Sequence, residues 1–303
     1  MKVLENPIKP KEYRSDIEPT WCSGCGDFGV VSAMTKVLSE KQLDPDNIIA
    51  VSGIGCSSRL PLWLKTFGFH SAHGRALPVA IGAKIANPEL TIFVTIGDGD
   101  MFSIGAGHVP HAARRNFDMN VFCLDNNLYA LTKNQCSPTS REGKRGSLTP
   151  YGTIDSPMNV IELMITYGST FVAQSYTGNM KHTTEMIKLA VEHKGFSFVN
   201  LLSPCPTWNN EETFKYYKER VFDINEEGGH KDFHNRLKAL ELSEKAVEHY
   251  HDSNAKIPIG VFYKEEGTPV FNEKLAKLKE KYAKKFGSTK NPDWNKLFDQ
   301  YAI

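Results

Sequence analysis

Four cysteines lie in loop-like stretches rich in glycine, serine or proline. Cys22 and Cys25 are separated by two residues in the run W-C-S-G-C-G. Cys56 lies in G-I-G-C-S-S, and Cys205 lies in S-P-C-P-T-W. Thiolates are the usual protein ligands of iron–sulfur clusters and of structural zinc. The four thiols therefore predict a metal or cluster site, and by themselves they suit zinc and iron equally.

A second group of residues has the chemistry to hold a phosphate-bearing cofactor. The run G-D-G-D occupies positions 97–100, and 26 residues separate Gly99 from Asn126. Glycines after a strand let the backbone approach a pyrophosphate, and the carboxylate of Asp98 can bind the Mg²⁺ that neutralises it. The spacing suits one helix and a returning strand, which would bring the amide oxygen of Asn126 to the same ion. This context favours a cofactor site over a tight turn with two solvated aspartates.

The elements that must position these residues alternate between strand and helix. Apolar runs predict strands at 47–51, 90–96, 120–124 and 196–202. Helical spacing predicts helices at 28–40, 101–115, 158–167 and 180–193. This alternation predicts an α/β fold with a mostly parallel sheet and helices on both faces. Cys56, the G-D-G-D run, Asn126 and Cys205 all follow carboxyl ends of predicted strands, where open α/β sheets bind ligands.

The chain changes character near residue 225. We expect a main domain over 1–225 and a helical C-terminal extension over 226–303 that packs on the domain or on a partner. In this extension, charged helical segments flank an apolar run at 257–263.

Composition and charge argue against several classes of function. The chain has 303 residues, of which 40% are hydrophobic, and a formal net charge of +1. A nearly neutral chain lacks the basic stripe that a nucleic-acid partner requires. No stretch of about 18 apolar residues predicts a membrane span, and the N-terminus has no apolar signal core. We therefore expect a cytoplasmic protein whose cysteines are reduced thiols or ligands.

Taken together, the motifs resemble the β subunit of 2-oxoacid:ferredoxin oxidoreductases, and the G-D-G…N-N spacing resembles the thiamine diphosphate motif. The matching runs keep the family's order over roughly the first two thirds of the chain. They are W-C-S-G-C-G (21–26), G-I-G-C-S-S-R-L (53–60), H-G-R-A (73–76), G-D-G-D with S-I-G-A-G-H (97–108), D-N-N-L-Y-A-L-T-K (125–133) and S-P-C-P-T (203–207). The run R-L-P-L-W-L-K after Cys56 is most similar to members that act on 2-oxoglutarate.

The resemblance implies a thiamine diphosphate-binding fold and assigns site residues. It implies that one [4Fe-4S] cluster is bound by Cys22, Cys25, Cys56 and Cys205. It implies that Mg²⁺ is bound by Asp98, Asn126 and the backbone carbonyl of Leu128. The positions that match thiamine contacts are Ile54, Gly55, Cys56, Ser57, His73, Gly99, Asp100, Ala130 and Leu131. Because Cys56 belongs to both sets, the cluster and the cofactor would lie side by side.

The implied reaction is the coenzyme A-dependent oxidative decarboxylation of a 2-oxoacid, with 2-oxoglutarate converted to succinyl-CoA. Electrons would pass through the cluster to a separate ferredoxin. In the family an α subunit supplies the carboxylate that activates the thiamine ring and much of the coenzyme A site, so this chain is expected to be inactive alone. Two alternatives stay open: an enzyme for pyruvate or mixed 2-oxoacids, and a non-redox thiamine protein with a structural zinc.

Three further side chains are candidates for catalysis. His73 is one, in addition to its match to a thiamine contact. Arg59 and Lys133 are cations that could bind the carboxylates of an anionic substrate, although either could equally be a structural ion-pair partner.

Cys123 is expected in the core, because a free cysteine behaves as a small buried hydrophobe. Cys136 receives no role.

Overall fold

The computed structural model describes residues 1–226, 229–252 and 254–286, so the predicted extension over 226–303 lies partly outside the described residues. Eight strands form one sheet in the order β2-β1-β3-β4-β8-β7-β10-β9, and β5 and β6 form a small hairpin. The strands are β1 Ile48–Ser52, β2 Phe67–His70, β3 Thr91–Gly97, β4 Met119–Asp125, β5 Leu128–Tyr129, β6 Gln135–Cys136, β7 Phe171–Tyr176, β8 Phe196–Leu202, β9 Val221–Asp223 and β10 Ile257–Lys264.

The helices cover both faces of this sheet. They are α1 Asp27–Lys41, α2 Ala76–Ala86, α3 Val109–Arg114, α4 Val160–Thr166, α5 Met180–Glu192, α6 Phe214–Arg220, α7 Arg236–Glu248 and α8 Phe271–Phe286. One hydrophobic core joins the sheet to α2, α3, α4 and α7, and the other joins it to α1 and α5. Across the described ranges, no helix combines the length and the apolar character needed to cross a membrane.

Most neighbouring strands of the sheet are parallel. β2, β1, β3, β4, β8 and β7 pair in parallel, and only β10 runs antiparallel to its neighbour β7. Every residue of β4 and β8 is buried, as expected for central strands that are covered on both faces. The predicted α/β fold with a mostly parallel sheet is confirmed. The segment after residue 226 adds β10 to this sheet in addition to α7 and α8.

One predicted helix is wrong. The segment 101–115 does not form a single helix but a π-helical turn, Asp100–Ile104, a 3₁₀ turn, Ala106–His108, and the short α3. Gly105 and Gly107 are poor helix formers, and Pro110 stands in the first turn of α3, where the lack of an N–H is tolerated. The helices predicted at 28–40, 158–167 and 180–193 are confirmed as α1, α4 and α5.

A buried histidine at the end of α7 makes folding sensitive to acid. His249 is 2% exposed, and neither ring nitrogen has a hydrogen-bond partner within the described part of the chain. Burial lowers the pKa of His249 to about 4 from an ordinary value of 6.5. The neutral ring therefore stabilises the fold above pH 6.5, and this contribution is lost as the pH falls from 6.5 to 4.

The variant His249→Phe keeps a ring at this position, which lies against Tyr250 with 3.9 Å between ring centroids. Between pH 7 and pH 4, the unfolding free energy of the parent should fall by about 3 kcal/mol more than that of the variant. Urea unfolding at a series of pH values measures this difference. Parallel pH profiles for the two proteins would contradict a buried neutral histidine.

Candidate functional site

The carboxyl ends of β1, β3 and β4 open into a small cleft of about 60 Å³. Its lining residues are Ile54, Gly55, Cys56, Ser57, His73, Gly97, Asp98, Gly99, Asp100, Asn126, Leu128, Tyr129, Ala130, Leu131 and Thr132. All nine residues that were matched to thiamine contacts are in this set, and so are the three that were matched to Mg²⁺ ligands. The fold therefore brings together positions that lie up to 77 residues apart in the sequence.

Asp98 is a buried carboxylate at the floor of the cleft. It is 1% exposed, and its Oδ2 accepts a hydrogen bond from Thr139 Oγ1 at 2.8 Å. The same hydroxyl lies 2.9 Å from Oδ1 of Asp125, so Thr139 bridges the two carboxyl groups. Burial raises the pKa of Asp98, and burial together with the nearby charge of Asp98 raises the pKa of Asp125 to about 7.

This carboxylate fits a divalent cation. The groups that most favour the ionised form of Asp98 are hydroxyls and backbone N–H groups, which carry no full positive charge. A buried carboxylate in such surroundings gains most from a cation at the site, and Mg²⁺ prefers oxygen ligands of this kind. The residues at the floor of the cleft therefore suit Mg²⁺.

The two adjacent asparagines have different positions. Asn126 lines the cleft, and its Oδ1 accepts a hydrogen bond from Leu128 N at 3.2 Å, which orients the amide. Asn127 is 1% exposed and has a φ of 60°, a left-handed conformation that asparagine tolerates. Its side chain donates to Thr139 O at 3.1 Å and accepts from Tyr217 OH at 2.9 Å. Asn127 thus fixes the loop that presents Asn126.

Asp100 connects two loops around the cleft. Its Oδ1 accepts from Gly74 N at 2.6 Å, and its Oδ2 accepts from Ile54 N at 3.1 Å. The Nδ1 atom of His73 lies against the same carboxylate. A Cβ atom at Gly53 would lie 1.8 Å from Asp100 Oδ2, so only glycine fits there. Asp100 therefore holds Ile54 and His73, two of the residues that were matched to thiamine contacts.

The three catalytic candidates differ in their position relative to the cleft. His73 lines the cleft, whereas Arg59 and Lys133 are not among the lining residues. Arg59 Nη1 donates to Thr20 Oγ1 at 3.3 Å. Lys133 is exposed and directly follows Thr132 at the end of the lining segment. Substrate binding by Arg59 and Lys133 stays a prediction.

Two of the four predicted thiol ligands, Cys56 and Cys205, pack together beside the cleft, and Cys25 lies near enough to feel their charges. Cys205 is 7% exposed and forms a small apolar cluster with Leu128 and Ala130, against which Cys56 packs. Burial raises the pKa of Cys25, and the charges of Asp27, Cys205 and Cys56 add to this increase. Cys22 is exposed and is not among the residues that line the cleft. Within the described ranges, no three His, Cys, Asp or Glu side chains form a group that could hold a metal ion.

Two hydrogen bonds hold the loop of Cys22 and Cys25 against the loop of Cys205. Gly26 N donates to Pro204 O at 3.0 Å, and Ser203 Oγ donates to Asp27 Oδ1 at 2.6 Å. A Cβ atom at Gly26 would lie 2.5 Å from Ser203 Oγ and 2.9 Å from Pro204 N. The close approach of the two loops therefore requires glycine at position 26.

The variant Gly26→Ala is expected to push these loops apart. Overpacking at such a contact costs about 1–3 kcal/mol of unfolding free energy, and the content of the metal predicted to be bound by the cysteines should fall with it. Gly82→Ala is the matched control, because no atom lies within 4 Å of the added Cβ on α2. That control should gain up to about 1 kcal/mol from helix propensity. Urea unfolding and metal analysis of both variants test this, and equal behaviour of the two would contradict it.

Several residues of the site had no assignment from the sequence. Asp125 stands directly before Asn126 at the end of β4, so its position at a strand end was a usable signal. Thr139 lies 41 residues after Asp98 in a segment without helical or strand periodicity, and nothing in the sequence indicated it. Asp27 and Ser203 adjoin the predicted cysteine ligands, but their contact becomes visible only in the fold.

Comparison with known proteins agrees with this geometry. Residues 53–201 match the family model described as the C-terminal TPP binding domain of thiamine pyrophosphate enzymes. Residues 205–280 match the model for the C-terminal part of the pyruvate ferredoxin oxidoreductase beta subunit. The first match contains the cleft, and the second begins at Cys205.

Two curated relatives are similar over most of their length. The beta subunit of a 2-oxoacid:ferredoxin oxidoreductase from Saccharolobus solfataricus is 40% identical over 265 residues, which cover 86% of this chain and 87% of the relative. The 2-oxoglutarate synthase subunit KorB from Methanocaldococcus jannaschii is 37% identical, with 89% of this chain and 97% of the relative covered.

A solved structure is similar over nearly the whole chain. The 2-oxoglutarate:ferredoxin oxidoreductase from Magnetococcus marinus, solved with 2-oxoglutarate, coenzyme A and succinyl-CoA bound, superimposes with a TM-score of 0.88 at 41% identity. The match covers 99% of this chain and 98% of that one. The chain therefore belongs to the family of 2-oxoacid:ferredoxin oxidoreductase β subunits.

Proposed function

We propose that this chain carries thiamine diphosphate, Mg²⁺ and one [4Fe-4S] cluster, and that with an α subunit it converts 2-oxoglutarate and coenzyme A to succinyl-CoA and passes electrons to ferredoxin. The observation that carries this proposal is the position of Cys56. Cys56 lines the cleft and packs beside Cys205, so a cluster bound there would lie next to the cofactor. The alternative with zinc in a non-redox protein gives no reason for this adjacency.

The chain offers ligands for each group. Cys22, Cys25, Cys56 and Cys205 would hold the cluster, and Asp98, Asn126 and the carbonyl of Leu128 would hold Mg²⁺. When bound, thiamine diphosphate supplies the electron sink for decarboxylation and the cluster supplies a one-electron acceptor. Burial raises the pKa of Cys56 to about 11, which the charge of Arg59 partly opposes, so loading the cluster would release protons.

The chain's own residues have defined tasks around these groups. The Asp100 carboxylate lies against Nδ1 of His73 and so orients the ring in the cleft. Trp21 Nε1 donates to Cys56 O at 2.8 Å and so fixes the loop between the cluster and the cofactor. All six cysteines are free thiols, which supports a reducing, cytoplasmic location.

The choice of 2-oxoglutarate depends on similarity. The solved structure from Magnetococcus marinus holds 2-oxoglutarate, and the Methanocaldococcus relative is named for it, which supports the likeness of the run R-L-P-L-W-L-K. The Saccharolobus relative is named for 2-oxoacids in general, which favours a broad-specificity enzyme as the second candidate.

A substrate panel tests this choice. The chain is co-expressed with its α subunit, and reduction of viologen and of ferredoxin is followed with 2-oxoglutarate, pyruvate and 2-oxobutyrate in the presence of coenzyme A. We expect kcat/KM for 2-oxoglutarate to exceed that for pyruvate by at least about tenfold, which corresponds to about 1.4 kcal/mol of discrimination. The isolated chain should be inactive. A preference for pyruvate would overturn the substrate assignment, and full activity of the isolated chain would overturn the need for a partner.

A further inference from the structure

We propose that Asn209 is a positioning residue that couples the loop of Cys205 to the loop of Asn126, so that the cluster and the metal-bound cofactor influence each other. This inference rests on the proposed function of the two sites. Asn209 lies outside the lining of the cleft and is 2% exposed. It is four residues after a predicted cluster ligand and reaches the backbone of a predicted Mg²⁺ ligand.

Asn209 forms hydrogen bonds to both the loop of Cys205 and the loop of Asn126. Its backbone N donates to Cys205 O at 2.9 Å, which closes the turn that presents the thiol. Its side-chain Nδ2 donates to Asn126 O at 3.1 Å. A single buried residue therefore bridges the main chains that follow β8 and β4. Movement of either loop is transmitted to the other through one amide group.

Buried ion pairs hold the oxygen atom of the Asn209 side-chain amide. Lys144 Nζ donates to Asn209 Oδ1 at 2.9 Å and to Glu212 Oε2 at 3.1 Å. The other oxygen of Glu212 pairs with Arg141 Nη2 at 2.5 Å. The side chains of Lys144 and Glu212 are only 4% and 1% exposed. These contacts orient the amide, so that its oxygen meets Lys144 and its nitrogen meets Asn126.

The charges around Asn209 suggest a substitution that removes one hydrogen bond and keeps the others. Asn209→Asp keeps the oxygen that accepts from Lys144 and from the backbone N of Glu212, but it replaces the donor to Asn126 O with a second oxygen. Lys144 and Arg141 carry two positive charges against the negative charges of Glu212 and the more exposed Glu211, so the added carboxylate is compensated mainly by the ammonium of Lys144, which already contacts Oδ1. Asn210→Asp is the matched control, because Asn210 is the exposed neighbour and the charge change is the same.

The test uses the complex with its α subunit, prepared anaerobically. Redox titrations followed by EPR give the midpoint potential of the cluster with and without thiamine diphosphate and Mg²⁺, and titration of the same samples gives the Kd of the cofactor. In the parent and in Asn210→Asp, addition of the cofactor should shift the midpoint potential. In Asn209→Asp, most of this shift should be lost and the Kd should rise about tenfold, as expected when a buried carbonyl loses its donor. A role in folding alone would lower stability but leave the shift unchanged.

The possible results distinguish failure of the proposed coupling from failure of the proposed function. An unchanged shift and Kd in Asn209→Asp, or no shift in the parent, would overturn the coupling. A parent complex without a cluster signal would contradict the proposed function itself, which distinguishes the two failures. If Asn209→Asp does not fold, Asn209→Ala removes the same donor without adding a charge, and the same loss of the shift is expected.

Discussion

Replacing Cys205 with serine is expected to abolish the EPR signal of the reduced complex and to lower ferredoxin reduction by at least about 100-fold. Removing a residue that hydrogen-bonds to a metal ligand already lowers metal affinity or activity by about 10- to 100-fold. Removing a ligand itself should therefore have at least as large an effect. A serine hydroxyl stays protonated at neutral pH and is a poor substitute for a thiolate. Because Cys205 does not line the cleft, thiamine diphosphate should still bind, with its Kd changed by no more than about the tenfold effect expected from the coupling through Asn209.

Cys136→Ser is the matched control for this prediction. Cys136 is a partly buried thiol, and its Sγ lies 3.3 Å from Lys144 O and 3.2 Å from Thr149 Oγ1. Serine can keep both contacts, so iron content and activity should match those of the parent. Iron content, EPR and ferredoxin reduction are measured for both variants. Loss of the cluster in Cys136→Ser, or its retention in Cys205→Ser, would contradict the assignment of the ligands.

Replacing Asp98 with asparagine should affect function and stability in opposite directions. Without metal, burial raises the pKa of Asp98 above its usual value. A group with a raised pKa stabilises the fold only below its unfolded pKa, and that contribution is lost as the pH rises. At pH 7 the buried carboxylate therefore destabilises the metal-free protein, and asparagine, which does not ionise, removes this cost.

We expect the chelator-treated Asp98→Asn variant to be as stable as the parent or more stable, by up to about 1–3 kcal/mol. The Kd of thiamine diphosphate in the presence of Mg²⁺ should rise at least about 100-fold, because a proposed metal ligand is lost. Urea unfolding and cofactor titration measure the two quantities. The exposed Asp16→Asn is the control for the change in charge and should leave both unchanged. A variant that is less stable and binds the cofactor normally would show that Asp98 has a purely structural role.

The sequence was most informative where local patterns determine structure. The runs at 47–51, 90–96, 120–124 and 196–202 are confirmed as β1, β3, β4 and β8, because central parallel strands are buried on both faces and so read as continuous apolar segments. Because glycines and asparagines follow the carboxyl ends of these strands, the sequence was sufficient to predict where the cleft lies. Every residue matched to a thiamine contact lines it.

The sequence was least informative where contacts are distant or local preferences conflict. The segment 101–115 has helical spacing, yet Gly105, Gly107 and Pro110 divide it into a π-helical turn, a 3₁₀ turn and the short α3. Thr139 reaches Asp98 across 41 residues, and Asn209 reaches Asn126 across 83. Such hydrogen bonds depend on how strands are ordered in the sheet, and no periodic pattern within one segment encodes them.

The adjacency of a redox cluster and the thiamine site is the central claim, and EPR with metal analysis of the anaerobically purified protein tests it most directly. The account predicts about four iron atoms per chain, as one [4Fe-4S] cluster requires, and the low-temperature signal of a reduced cluster after addition of dithionite. Zinc in place of iron, with no cluster signal after reduction, would contradict it.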